Sequence, residues 1–322
     1  MIDTLSCIVN EALKGLNWEK QPSGLYEPIA YALSSGGKRI RPLLTLIGAS
    51  LFGKSAEEAL PAALAIEIFH NFTLLHDDVM DNASLRRGKP TVHIQWNNNT
   101  AILSGDQMLI EAYKQLSYLR AEVLPSVLTA FNKMGTEICE GQQLDVDFQS
   151  KEDVTEEEYI RMIRLKTSVL LGTALQIGAI IGGANQTAQR SLYEYGINLG
   201  LAFQIQDDLL DVYGNPKTFG KAIGGDILEG KKTFAYISAL KNTTTQQQEE
   251  IKQLLNNKSL AAQEKIELVT DLYSKAGVKQ SCEKAVKYYT EKALEHLAKV
   301  GVTEEKISVL KELATSLLAR KD

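Results

Sequence analysis

A chain of 322 residues with 44% hydrophobic side chains can bury a sizeable core as one large domain or two ordinary ones, and with no linker in sight residues 1–322 read as a single domain. A formal net charge of −5 excludes a nucleic-acid binder, because phosphate backbones demand a basic face, and no uninterrupted apolar run reaches the roughly 18 residues of a membrane span. The N-terminus carries an early acid, Asp3, and no basic lead into an apolar stretch, while the three cysteines Cys7, Cys139 and Cys282 lie far apart as reduced thiols would; both features point to the cytoplasm.

Helical periodicity is nearly continuous and alternating runs are few, so the expected fold class is all-α. Residues 1 to 16 and 25 to 34 read as short helices. Ser34 to Pro42 then stops the second helix and delivers a basic cluster in which Gly36 and Gly37 let backbone approach an anion while Lys38 and Arg41 supply a point charge and a fork. Taken alone, that turn reads more readily as a helix C-cap followed by solvated charges. Helices follow over 43–51 and 56–80, the second carrying Phe69, His70 and Phe72; a lone His on such a face is by itself a core residue. Gly88 and Pro90 turn Asn82 to Pro90 into a loop bearing Arg86 and Arg87. Further helices are expected over 100–118, 121–148 and 156–163, and Lys166-Thr167-Ser168 opens another, rich in small residues, to about 182. The helix over 187–213 ends in a glycine-rich basic stretch through Lys221 and on to Asp226, suited to a lid, and helices over 233–241, 245–255, 262–276, 278–300 and 304–320 complete the chain.

Two copies of one acidic pattern stand out, Asp77-Asp78-Val79-Met80-Asp81 and Asp207-Asp208-Leu209-Leu210-Asp211. On a helix, residues four apart lie about 40° apart around the axis and about 6 Å apart along it, so Asp77 and Asp81 face the same way. Carboxylates so placed repel unless a cation bridges them, and oxygen ligands without His or Cys point to Mg²⁺ completed by water and substrate phosphates. With Asp at roughly 6% of residues, one such pattern arises by chance in about 1 in 15 chains of this length and two in about 1 in 400. The six aspartates are therefore the candidate metal residues. Two acidic helix faces looking across an apolar cavity, with Lys and Arg on flanking loops, fit a diphosphate leaving group on a hydrocarbon substrate.

With these motifs in this order, the chain resembles the trans-isoprenyl diphosphate synthases of the polyprenyl synthetase family. The residues that carry the resemblance are Gly36 to Pro42, Phe69-His70, the first acidic motif with Arg86-Arg87, Gly141-Gln142, Lys166-Thr167, Phe203-Gln204, the second acidic motif, and Lys221 through Lys231. The resemblance implies an all-α isoprenoid synthase fold of ten or more helices around a central cavity, a homodimer, and a prenyltransferase that joins isopentenyl diphosphate head-to-tail to an allylic diphosphate. It implies that Asp77, Asp81 and Asp207 ligate three Mg²⁺ on the allylic diphosphate, which Arg86, Lys166 and Lys221 also hold. Gly37, Lys38, Arg41, His70 and Arg87 would bind isopentenyl diphosphate; Lys166, Thr167 and Gln204 would place dipoles near the allylic cation, with Gln142 pointing into the same cavity. Asp78, Asp208 and Asp211 complete the metal motifs in support, and Asp226 and Lys231 belong to the lid. Phe72, with Phe69 behind it, would limit the product to C15–C20, leaning to C20. The alternatives are a terpene cyclase, which has no use for a second diphosphate site, and a catalytically inactive partner subunit, which has no need of two intact acidic motifs.

Overall fold

The structure, a computed structural model, describes residues 1–215 and 223–318 and is all-α. Lys221, expected at a diphosphate, lies outside the described residues. Two compact units are present: Met1–Asn132 with Thr173–Tyr193 and Val300–Val309, and Lys133–Gly172 with Glu194–Lys299 and the chain from Leu310 on.

The first unit is built on the helix Ala56–Met80. Ser55 and Glu58 close its N-terminus as a capping box, satisfying donors that the first turn otherwise leaves without partners. Every residue from Ala62 to Phe69 is buried, so the helix is enclosed on all sides over two turns, and its sequence accordingly lacks a polar face there. Around it lie Ile2–Lys14, Ser23–Leu33, Ile40–Ser50 and Asn98–Leu116. The helix expected from residue 43 starts at Ile40, because Pro42 sits in the first turn, where its missing N–H leaves no bond unmade. The helix Val169–Ile181 contributes small residues to this unit: a Cβ on Gly178 would stand 2.2 Å from the Thr45 carbonyl oxygen and 2.9 Å from the Ala49 nitrogen, so two backbones meet there. This is the close helix approach expected of a Gly- and Ala-rich stretch.

Three local departures from the expected pattern bear on function. The segment read as a loop after Asp81 contains a minimal antiparallel hairpin, Leu85–Arg86 paired with Lys89–Pro90, and a four-residue helix, Val92–Gln95, follows it. Arg87 and Gly88 form its turn with φ of 53° and 76°, the two positive values that a tight turn of matching twist requires. Second, Lys166 does not open a helix: Glu156–Ile163 runs on through a π turn, Arg164–Ser168, into Val169–Ile181. Third, a short helix Gly225–Glu229 precedes Phe234–Lys241. The stretch Glu156–Ile181 is long and apolar enough to cross a membrane by composition, but 72% of its apolar window is buried within the protein, as befits a core helix.

Replacing Gly178 by Ala should destabilise the protein by about 1–3 kcal/mol through overpacking against Thr45 and Ala49, read from the urea midpoint. An unchanged midpoint would contradict the backbone contact.

Candidate functional site

In the first unit the two halves of the basic cluster are tied together by backbone strain and one buried acid. Arg39, 7% exposed and left-handed at φ 49°, ends the glycine turn and caps Ile40–Ser50. Its guanidinium pairs with Glu67 at 2.5 Å and donates to the Leu33 carbonyl. Glu67, 2% exposed, also accepts from Asn71 Nδ2 at 2.9 Å. An isolated buried charge is costly, so this pair and its amide fix one conformation of the turn. Arg87 reaches from the hairpin to donate to the Gly36 carbonyl, and lies so close over Gly37 that a Cβ there would be 2.8 Å from its guanidinium carbon. His70 and Arg41 join this cluster. Burial lowers Arg41 to about 10, leaving it protonated at neutral pH, with Glu67 opposing the shift. Burial, then Arg41 and Arg87, lowers His70 well below its ordinary value, so its imidazole is neutral. The Nε of Arg41 is buried without a hydrogen-bond partner. Lys38 is exposed beside them. Three guanidiniums, those of Arg39, Arg41 and Arg87, share one buried carboxylate, with Lys38 adjacent in sequence, an arrangement that draws an anion.

The hairpin also reaches the first acidic motif. Arg86 Nε and Nη2 both bond Asp78 Oδ1 at 2.7 Å, and Asp78 is 4% exposed. Burial raises the Asp78 pKa, with Arg86 opposing. Asp77 and Asp81, one turn apart on the same side, keep solvent access. Behind them, Phe69 stacks edge-on with Phe72 at 5.4 Å and with Phe131 at 5.2 Å, and Phe131 meets Tyr113 at 5.3 Å. Phe69 is 3% exposed whereas Phe72 is half-buried.

The second unit repeats the division of labour. Asp208, 3% exposed, accepts from the Tyr159 hydroxyl, from the Phe234 N–H at 3.1 Å and from Gln204 Nε2 at 3.2 Å. Burial pushes its pKa up to about 6 against those three donors. Asp211 accepts from the Asp226 N–H at 3.0 Å, where the short helix Gly225–Glu229 begins. Burial, with Asp211 and Asp208 nearby, pushes Asp226 up to about 7. Asp207 is partly exposed. The π turn lies wedged between two glycines: a Cβ on Gly141 would be 2.3 Å from the Lys166 nitrogen, and one on Gly200 would be 2.7 Å from the Ser168 Cα. One turn beyond each glycine stands a partner for the turn's side chains. Lys166 Nζ meets Asp145 at 2.6 Å and the Thr167 hydroxyl donates to Gln204 Oε1 at 3.4 Å. Gln142, next to Gly141, is half-buried, and Lys231 pairs with Glu229 at 2.7 Å, standing 3.9 Å from Asp226.

The expected residues thus gather as two groups: Gly37, Lys38, Arg41, Phe69, His70, Phe72, Asp77, Asp78, Asp81, Arg86 and Arg87 in one unit, and Gln142, Lys166, Thr167, Gln204, Asp207, Asp208, Asp211 and Lys231 in the other. Glu67, Asp145 and Tyr159 were missed because each is defined by a partner distant in sequence, and Asn71, one turn after Glu67, gains its role only from that buried acid; only Asp145, one turn after Gly141, carried a local signal.

The donor set fits a hard divalent cation. Among the described residues no three carboxylates or imidazoles converge on one point, which suits an ion whose remaining positions are filled by water and substrate oxygens. An all-α chain with solvent-accessible carboxylates on two helices, Asp77 and Asp81 on one and the partly exposed Asp207 on the other, and a cationic cluster has the equipment of a diphosphate enzyme. The chain belongs to the polyprenyl synthetase family, whose model matches residues 22–273, and it is a prenyltransferase. It is 39% identical over 316 residues to a geranylgeranyl pyrophosphate synthase of Geoglobus acetivorans, spanning 97% of this chain and 96% of that protein. A crystal structure of a geranylgeranyl pyrophosphate synthase superimposes with a TM-score of 0.95 at 44% identity, covering 100% of this chain and 99% of the other. Another, from Corynebacterium glutamicum and complexed with isoprenyl diphosphate and magnesium, gives 0.89 at 29% identity with 100% of both chains covered.

Without metal, Asp208 makes stability pH-dependent with a fixed sign. A carboxyl whose folded pKa is raised from 3.8 to about 6 contributes stability that is present in full below the lower value and lost as pH rises through the upper. Asp208→Asn should therefore gain on the wild type in urea midpoint between about pH 4 and pH 7; a difference constant across that range would contradict the assignment.

Proposed function

We propose that this chain makes geranylgeranyl diphosphate, adding isopentenyl diphosphate head-to-tail to dimethylallyl, geranyl or farnesyl diphosphate. The observation that carries the reading is the pairing of two acidic motifs, the first with Asp77 and Asp81 accessible and the second with Asp207 accessible, with a separate cationic cluster, since one diphosphate needs metal and the other needs only side chains. Asp77, Asp81 and Asp207 hold Mg²⁺, three ions when the allylic substrate is present. Magnesium, when bound, supplies the charge that lets the diphosphate leave.

The chain's own groups do the rest. Arg86, Lys166 and Lys221 hold the allylic diphosphate, and Lys166 exchanges its bond with Asp145 for the substrate. Gly37, Lys38, Arg41, His70 and Arg87 bind isopentenyl diphosphate; the partnerless Nε of Arg41 and the neutral His70 ring support this. The oxygens of Thr167 and Gln204, with Gln142 near them, face the developing cation. The allylic carbon–oxygen bond ionises, the double bond of isopentenyl diphosphate attacks the cation, and the departing diphosphate takes the proton, so no side-chain base is required. Asp78, Asp208 and Asp211, already engaged by protein donors, act on the metal through their neighbours, and Asp226 and Lys231 belong to the cover over the site.

Phe72, half-buried and braced by Phe69, is the block on chain growth, and the product names of the relatives support C20. The family match across residues 22–273 includes parts of both units and supports their action as one domain. We read the protein as a cytoplasmic homodimer; the unpaired state of Cys7, Cys139 and Cys282 supports the reducing compartment.

Incubation with isopentenyl diphosphate, Mg²⁺ and each allylic diphosphate should give a C20 product from all three and nothing when a chelator is present. Phe72→Ala should shift the product to longer chains. No condensation with any allylic substrate would sink the enzymatic reading, and an unchanged product from Phe72→Ala would sink Phe72 as the block.

A further inference from the structure

Tyr159 takes no part in the chemistry just described, yet its ring is 3% exposed and its hydroxyl is aimed at a carboxylate. The three donors to Asp208 come from three different segments. Tyr159 lies on Glu156–Ile163, which leads straight into the π turn with Lys166 and Thr167. Phe234 is the first residue of Phe234–Lys241, so its N–H is one of the donors a helix start leaves unsatisfied, and Asp208 fills that place. Gln204 lies one turn back on the helix of Asp208 and meets Thr167 through its other atom. Asp208 is therefore the joint where the π-turn segment, the Gln204–Thr167 pair and the start of the next helix are held together.

Asp207 is the neighbour of that joint, turned about 100° from Asp208 around the helix axis, so its direction follows from how Asp208 is held. A tyrosine kept only for packing would need its ring and not its hydroxyl. Its aromatic contact with Phe234 is loose, the rings lying 6.5 Å apart and tilted at 52°. The hydroxyl, by contrast, is the donor from the segment that bears Lys166 and Thr167.

We propose that Tyr159 is a positioning residue for the second acidic motif: by holding Asp208 it orients Asp207 and sets the Gln204–Thr167 pair, and so governs how well the motif takes a divalent cation carried by a diphosphate. This rests on Asp207 as a metal ligand. Groups that orient the immediate neighbours of a metal typically affect its affinity by about 10–100-fold.

The test compares wild type, Tyr159→Phe, Asp208→Asn and the double variant as full-length proteins, each assayed below its own melting temperature. The readouts are condensation rates across a Mg²⁺ titration, the KM for isopentenyl diphosphate, and calorimetric binding of inorganic pyrophosphate with Mn²⁺. Tyr159→Phe is expected to raise the Mg²⁺ concentration for half-maximal rate about tenfold and to weaken Mn²⁺–pyrophosphate binding in proportion, leaving the KM for isopentenyl diphosphate within about twofold. The double variant should be no worse than Asp208→Asn, because the two groups act as one unit. A Mg²⁺ requirement within about twofold of wild type in Tyr159→Phe, or losses that multiply in the double variant, overturns the proposal. If the wild type itself needs no divalent cation, the ligand reading of Asp207 fails and this proposal falls with it; an active, magnesium-dependent wild type with an indifferent Tyr159→Phe defeats this proposal alone.

Discussion

A carboxylate buried in the second place of each acidic motif is the constraint on which the site depends. Asp78 and Asp208, 4% and 3% exposed, are held by protein donors, Arg86 in one case and Tyr159, Phe234 and Gln204 in the other. Burying a carboxylate is costly unless it is paired, so each anchor admits few arrangements of the helix that carries it. In the proposal made for Tyr159, Asp207 gains its direction from such an anchor. Two adjacent acids in sequence thus do opposite jobs, one turned into the protein and one left accessible.

The cationic side follows the same logic with signs exchanged. Glu67 is the buried acid, and Arg39, in a left-handed conformation, is the cation that pairs with it. Arg87, also left-handed, is pulled back over Gly37 by the Gly36 carbonyl. Strain of this kind persists only where surroundings over-determine it, and here both strained residues flank the cluster that attracts an anion. The hairpin couples the two halves of the first unit's site, since Arg86 serves the acidic motif and Arg87 the basic turn.

Most of the helical architecture was legible in the sequence because the apolar period is nearly continuous; the helix Ala56–Met80 has the bounds expected of it, and in the structure Ser55 and Glu58 close its start. The hairpin was not, because two-residue strands carry no alternation to read. Nor was the π turn, since Arg164 to Ser168 differ from an ordinary helix only in register, and the glycines packed against it, Gly141 and Gly200, come from other helices. The acidic motifs stood out in the sequence through repetition. Which aspartate of each pair turns inward depended on Arg86 and Tyr159, the latter 49 residues from its partner. Arg39 sat in plain view within the basic turn, but its burial against Glu67 is a tertiary fact.

The claim that adjacent aspartates divide into anchor and ligand is tested most directly by a crystal structure with Mn²⁺ and a non-ionising thiolo analogue of an allylic diphosphate, located by anomalous scattering. The account predicts metal peaks at coordination distance, about 2.2 Å, from oxygens of Asp77, Asp81 and Asp207, with Asp78 still on Arg86 and Asp208 still on Tyr159. Asp78 or Asp208 swung out into the coordination sphere would contradict it.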